Sequence, residues 1–404
     1  MRRPQIAPLP TTKTSRMYSG SLMNTTGRFE AAASRYNILT GPKKGLRLIC
    51  LFPGSANSTI KGSFVYAELG NSCPSYIALS YTWGEQTILK KIVIGGHGDI
   101  MIGENLWSFL RLQTTIITMP TLFWIDAICI DQQNINERNH QVGLMKHIYA
   151  SADQVFLWLG KECNGSDKAM SFIRNQATKP PNKRGQGYRS IWPIALGQAI
   201  HDLCERPYWK RMWIIQEILH SNSITVWCGS QSIAWEALEK LYLKLKTLEE
   251  ANWLSHHKLH TQVAQSPAAM MLWQRAHWRH EGTPVPQLQT LIDIFRDFKC
   301  SDIKDKVFAL VGMATIDSAI VPNYALTTKE IYFGVMRNVQ EDKEQFGPKL
   351  SQTLGLSHRE LNLPWADMIA YRREDVERLV VRARRHDWTN DHSPVICLMS
   401  ELVG

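Results

Sequence analysis

The 404-residue sequence has few cysteines, and their spacing matches no common metal site or disulfide framework. Its eight cysteines form no CxxC pair and no zinc-ribbon pattern, so we predict neither a bound metal nor a disulfide-stapled fold. Scattered, reduced thiols are typical of proteins in a reducing compartment. We therefore predict a cytoplasmic protein.

Long apolar runs are also missing. No stretch reaches the roughly 20 residues that a membrane-spanning helix needs, so we predict no transmembrane segment, and the N-terminus lacks the apolar core of a secretory signal. The first 29 residues contain five basic residues and no acidic one, a composition that also fits a mitochondrial transit peptide. Pro4, Pro8 and Pro10 would break an amphipathic helix there, and residues 1–35 are predicted to be a disordered tail.

Charge is not concentrated in any one part of the chain. Lys and Arg number 46 against 36 Asp and Glu, which gives a net charge of +10, but the basic residues are dispersed. Dispersed charge does not predict a specific nucleic-acid site. The 44% hydrophobic content is enough for a large core, so a globular protein is expected.

One apolar run is interrupted by an acid. The segment 122–132 reads LFWIDAICIDQ, which is typical of a strand covered on both faces, yet Asp126 lies within it. A buried carboxylate without partners is unfavourable. We expect either a structural acid, bonded to loop amides or to Arg138, or a functional site near the end of this strand.

Strand-like and helix-like segments alternate through the first part of the chain. This order predicts an α/β fold with a doubly wound, mostly parallel sheet in a domain at 36–230, whose core is 76–219. A glycine-rich turn around 95–98 predicts an added hairpin. A mostly helical region is expected at 231–404. The predicted strands cover residues 46–52, 76–81, 122–132, 154–159 and 224–228.

Several sequence blocks, in a fixed order, resemble the fungal heterokaryon incompatibility (HET) domain family. The similarity extends over roughly residues 46–325. The blocks are YIALSYTWG at 76–84, WIDAICIDQ at 124–132, the helix pattern from Glu137 to Ala152, WLG at 158–160, YWKRMWIIQE at 208–217 and the region from Cys300 to Leu310.

The resemblance implies a biological role. Members of this family trigger programmed cell death when genetically different hyphae fuse, and their domain is remotely similar to Toll/interleukin-1 receptor (TIR) domains. A TIR-like or flavodoxin-like sheet is therefore expected. Some TIR domains cleave NAD with a single glutamate, so the resemblance implies NAD as a substrate, with no cofactor required. The alternative is a non-enzymatic, self-associating signalling or adaptor protein. The implied partners are a second copy or an incompatibility partner protein.

The spacing of Trp209, Trp213 and Glu217 predicts a carboxylate beside indole rings. These residues follow one another at intervals of four, so they would share one face of a single helix. Trp213 and Glu217 also resemble the TIR tryptophan and glutamate pattern, which makes Glu217 the candidate catalytic residue. The alternatives are core positions for the two tryptophans and an ion pair between Glu217 and a basic residue in 206–211.

Cleavage of the nicotinamide ribosyl bond needs stabilisation of an oxocarbenium-like centre, while the pyridinium leaves without a proton. One carboxylate can suffice. Aromatic faces stack on a cationic ring, and nucleotides bind in the loops after parallel strands. A purely structural aromatic corner that closes the sheet is the alternative for Tyr81 and Trp83. The candidates for an NAD pocket are Ser80, Tyr81, Trp83, Gly84, Asp126, Cys129, Asp131, Gln132 and Trp213.

Overall fold

The computed structural model of the chain describes residues 44–177, 192, 194–250, 258–280, 283–314, 320–339 and 343–361. The predicted tail at 1–35 lies outside these residues. None of the described helices combines the length and the hydropathy that crossing a lipid bilayer would require.

Nine strands and fourteen α-helices make up the described part of the fold. The strands are β1 (Gly45–Leu51), β2 (Lys61–Glu68), β3 (Ile77–Tyr81), β4 (Leu89–Gly95), β5 (Gly98–Gly103), β6 (Thr121–Trp124), β7 (Gln154–Trp158), β8 (Ile224–Cys228) and β9 (Gln231–Ala234). The helices are α1 (Glu104–Ile116), α2 (Asp126–Cys129), α3 (Ile135–Ser151), α4 (Ser166–Ala177), α5 (Ile194–Cys204), α6 (Ile214–Leu219), α7 (Trp235–Glu250), α8 (Lys258–Ala264), α9 (Pro267–Trp278), α10 (Leu288–Phe295), α11 (Asp305–Val311), α12 (Thr328–Asn338), α13 (Lys343–Thr353) and α14 (His358–Leu361).

All nine strands belong to one mixed sheet with the order β5-β4-β2-β1-β6-β3-β7-β8-β9. Four neighbouring pairs are parallel and four are antiparallel, so the expectation of a mostly parallel sheet was wrong. The physical reason is that β1 and β2, and likewise β8 and β9, are joined by short connections, which favour antiparallel neighbours. The parallel strands β6, β3, β7 and β8 stay together in one half of the sheet. The α/β class is confirmed.

Helices cover both faces of the sheet at β6. Successive side chains of a strand point to opposite faces, and Phe123 packs on Phe109 of α1 whereas Trp124 packs on Tyr149 of α3. Both strand residues are fully buried. This two-sided cover explains the unbroken apolar sequence of the strand.

The predicted strand at 122–132 ends early. β6 stops at Trp124, and Asp126 is the first residue of the one-turn helix α2. The Ala127 amide donates to Asp126 Oδ1 at 2.7 Å, and an acid in a first helical turn is favourable. The amide that Asp126 accepts from belongs to α2 and not to a loop, and Arg138 pairs with Asp302 instead of with Asp126.

The segment around 208–219 is not one helix. A 3₁₀ turn spans Pro207–Lys210, and α6 begins only at Ile214. Between them Arg211 has an extended backbone, and the residues on either side of it pair with Lys299. The Met212 amide donates to Lys299 O at 2.8 Å, and the Lys299 amide donates to Lys210 O at 2.5 Å. The expectation that Trp209, Trp213 and Glu217 share one helical face was wrong for this reason.

Every described element after β9 is a helix, as expected for the C-terminal region. These helices contact the sheet-bearing part. The Gln216 side chain of α6 donates to Ala309 O of α11 at 2.8 Å, and Asn139 of α3 accepts from the Tyr324 amide at 2.9 Å. The described segments around Ala309 and Tyr324 therefore pack directly against α6 and α3, respectively.

Candidate functional site

Polar side chains meet at the carboxyl ends of β3 and β6. These strands are parallel neighbours, so their carboxyl ends lie at the same edge of the sheet. Ser80 and Tyr81 end β3, Trp83 follows in the loop, and Asp126 follows β6. Ligands of open α/β sheets bind at such edges.

Glu217 reaches this edge from α6. Its side chain is 2% exposed and accepts a short hydrogen bond from Ser80 Oγ. The Tyr208 hydroxyl lies 2.6 Å from the same Ser80 oxygen, and Arg211 Nη1 lies 3.8 Å from Glu217 Oε2. The structure therefore brings the candidate acid together with the end of β3.

Glu217 has an unusual acidity. Burial raises its pKa to about 7, and Asp126 adds to this, although Arg211 and the Ser80 hydrogen bond act in the opposite direction. A carboxyl group that titrates near neutral pH is suited to acid–base or electrostatic roles. Strongly perturbed carboxyl groups at a strand-end edge are typical of functional sites.

Asp126 is the second acid of the cluster. Trp83 Nε1 donates to its Oδ2 at 2.8 Å, and Gln132 Nε2 donates to its backbone oxygen at 3.0 Å. Burial raises the pKa of Asp126, while Arg211 lowers it. Arg211 thus interacts with both carboxyl groups.

Three phenols surround these charges. Tyr81, Tyr149 and Tyr208 are each at most 3% exposed, and burial raises the pKa of each well above 10. They are neutral at physiological pH. Tyr149 donates to Leu79 O at 3.1 Å, which fixes its ring beside β3.

The described contact of Trp213 is with Asp305. Its indole hydrogen-bonds Asp305, which also accepts from the Tyr324 hydroxyl at 2.6 Å. Trp209 is 1% exposed and donates to Leu203 O at 3.0 Å, so it is part of the core. Neither tryptophan stacks beside Glu217.

Cys129 and Asp131 belong to a different network. Arg47 and Glu137, both fully buried, form an ion pair at 3.0 Å; Arg47 also donates to Cys129 O, and the Asp131 amide donates to Glu137. This pair holds the loop between α2 and α3. Burial raises the pKa of the Cys129 thiol to about 12, so it is not a thiolate nucleophile.

The loops after β3 and β7 are tied together beside the cluster. Asn105 donates to Thr82 O at 2.6 Å and accepts from Trp158 Nε1 at 2.8 Å. Gly84 has φ +69°, a backbone conformation that favours glycine. Its role here is to shape the loop after β3.

Sequence reasoning did not place Tyr208 and Asn105 in the site and treated Arg211 only as an ion-pair partner. Tyr208 and Arg211 both lie in the block YWKRMWIIQE that also carries Glu217. Their position in that block was the available signal. No comparable signal marks Asn105, which precedes the second block.

Comparison with known proteins supports the resemblance. The family described as "Heterokaryon incompatibility protein (HET)" matches residues 76–217, a segment that includes β3, Asp126 and Glu217. The chain is also similar to "Heterokaryon incompatibility protein 6, OR allele" of Neurospora crassa, with 27% identity over 243 residues. That match covers 50% of this chain but 36% of the relative. No solved structure is significantly similar.

Proposed function

We propose that this chain, whose residues 76–217 are a HET domain, acts in fungal nonself recognition and triggers programmed cell death. The family match and the name of the Neurospora relative support the incompatibility role. The proposed partners are a second copy of the chain or an incompatibility partner protein.

We further propose that the effector chemistry is NAD cleavage. The observation that carries it is the contact of Glu217 with Ser80 at the carboxyl edge of the parallel strands. Strand order supports the same assignment: the parallel strands lie in the order β6-β3-β7-β8, which is second, first, third and fourth along the chain. Flavodoxin-like and TIR-like sheets share this order, and nucleotides bind beside the first and third strands.

In this proposal Glu217 acts as a carboxylate. With a pKa of about 7, a large fraction is ionised at neutral pH and can stabilise positive charge on the ribosyl carbon. Nicotinamide leaves as a neutral base, so no general acid is needed, and a water molecule adds to the ribosyl carbon with loss of a proton to the solvent. Trp83, which is 37% exposed and bonded to Asp126, offers an aromatic face for the cationic ring.

A second candidate function is signalling by self-association without turnover. Two observations favour it. Glu217 is 2% exposed, and the Trp213 indole is hydrogen-bonded to Asp305. Buried, hydrogen-bonded side chains of this kind can also serve only to stabilise the fold.

Expression in a heterologous host separates the two functions. Wild type, Glu217→Gln and the matched control Glu205→Gln are compared for NAD content and viability. Glu205 is a partly exposed residue paired with Lys210 near the same segment. NAD cleavage predicts that wild type and the control lose NAD and die, whereas Glu217→Gln retains both NAD and viability. Death without NAD loss in Glu217→Gln would favour the signalling function.

A further inference from the structure

Arg211 lies 3.8 Å from Glu217 and also interacts electrostatically with Asp126, the second acid of the cluster. We propose that Arg211 is a positioning residue, which keeps Glu217 in its carboxylate form and directed at Ser80, while Asp126 opposes it. The inference rests on the proposed function, because it assigns a role in the same site. Arg211 is absent from the residues that sequence reasoning placed in the NAD pocket.

The geometry points to an effect of charge rather than of a directed hydrogen bond. Arg211 Nη1 is 3.8 Å from Glu217 Oε2 and makes no hydrogen bond with any described residue. The Arg211 side chain is 18% exposed and the Glu217 side chain 2%. Opposite charges at this distance interact much more strongly in such a partly dry environment than in water.

The position of Arg211 is fixed by its backbone. Amides and carbonyls of Lys210, Met212 and Lys299 link the chain on both sides of Arg211 to the segment that precedes α11. This pairing fixes the point from which the Arg211 side chain reaches the acids, and the side chain itself is mostly buried. Lys299 lies outside the family match at 76–217, so part of the site's support comes from the C-terminal region.

The titratable groups that interact with Arg211 belong to several neighbouring elements. Burial lowers the pKa of Arg211, but Glu217 of α6 and Asp126 of α2 outweigh this and raise it. The other facing groups are Tyr208 of the 3₁₀ turn and Tyr149 of α3, and Tyr81 of β3 also senses Arg211. These phenols are neutral, so the charged groups of the cluster are the Arg211 guanidinium and the carboxyl groups of Glu217 and Asp126.

This balance predicts that removing Arg211 and removing Asp126 shift the pKa of Glu217 in opposite directions. Loss of the positive charge in Arg211→Gln makes ionisation of Glu217 harder, whereas loss of the negative charge in Asp126→Asn makes it easier. General loosening of the fold would expose Glu217 in both variants. It would therefore lower the pKa of Glu217 in both, not in opposite directions.

The test is a titration of the full-length protein labelled with ¹³C in the glutamate side-chain carboxyl groups. The Glu217 signal is identified by its disappearance in Glu217→Gln. We expect Arg211→Gln to move the midpoint upward by about 1 pH unit or more, Arg211→Lys to move it less, and Asp126→Asn to move it downward. The matched control Arg296→Gln, at an exposed arginine, leaves it unchanged.

An unchanged midpoint in a folded Arg211→Gln protein, or a shift of the same sign in Arg211→Gln and Asp126→Asn, would overturn the proposal. If Arg211→Gln does not fold, the other two variants decide. The proposal is overturned if the Glu217 midpoint is unchanged or lower in Arg211→Lys. It is also overturned if the midpoint is unchanged or higher in Asp126→Asn. The titration involves no NAD. Correct shifts together with no NAD cleavage would therefore reject the proposed function and leave the role of Arg211 intact.

Discussion

Glu217 ionises in an environment that water hardly reaches. Its carboxyl group is 2% exposed, and its stabilising partners are one hydroxyl and one guanidinium at 3.8 Å. These partners do not fully offset the loss of hydration, which is why its pKa lies near 7 instead of 4.5. The ionised form of Glu217 therefore costs the protein stability.

This cost predicts a pH-dependent benefit of Glu217→Gln. Because the folded-state pKa of about 7 exceeds the ordinary 4.5, the folded protein holds a proton that the unfolded chain has lost between these pH values. The free energy of unfolding of wild type should thus fall as the pH rises from 4.5 through 7, relative to Glu217→Gln, by up to about 3 kcal/mol. Urea unfolding of both proteins at pH 5 and pH 8 measures the difference. A difference that is equal at both pH values contradicts the assignment.

Among the residues of the site, the sequence was informative where strand ends determine position. Ser80, Asp126 and Glu217 meet as the spacing of strands and blocks predicts. The hydrogen bond of Trp213 to Asp305 was not predicted, because Asp305 comes from a distant segment. Local spacing carries no information about such a tertiary contact.

At the scale of elements, α6 depends on its neighbours. It has six residues, and isolated helices of this length are unstable. Gln216 anchors its side to α11, and Arg275 of α9 donates to Ile218 O and to Ser221 O at the C-terminal end. The helix that carries Glu217 is therefore positioned by the C-terminal helical region.

Removal of the Arg275 anchor should be costly. Arg275→Met leaves the buried Ile218 carbonyl without this donor, while Ser221 O keeps the hydrogen bond from Arg279, and we expect a loss of about 1 to 3 kcal/mol in the free energy of unfolding. Arg279 also donates to Ser221 O but is exposed, so Arg279→Met should cost less than about 1 kcal/mol. Chemical denaturation of the two variants gives the comparison. Equal losses would contradict the role assigned to Arg275.

At the scale of the whole molecule, the alternation of strands and helices predicted the α/β class and most parallel strands. β8 was predicted at its observed bounds, and β3 and β7 to within one residue. The sequence did not predict β2 and β9, because β2 is half-exposed with weak alternation and β9 has only four residues. These strands and β1 supply antiparallel pairs, so the mixed character of the sheet could not be foreseen.

Contacts between segments that are distant in sequence cause the remaining differences between the predicted and the observed fold. The pairing of Lys299 with Lys210 and Met212 breaks the predicted helix around 208–219. The ion pair of Arg47 with Glu137 links β1 to the start of α3. Both contacts join residues that periodicity cannot relate to each other.

The most direct test of the account is nicotinamide release from NAD by the purified full-length protein. Wild type and the control Glu205→Gln should release nicotinamide at equal rates, and Glu217→Gln should be slower by about 100-fold or more, since it removes the charge that stabilises the ribosyl centre. Circular dichroism establishes that all three proteins are folded. Equal release by wild type and Glu217→Gln, or no release by wild type, would contradict the account.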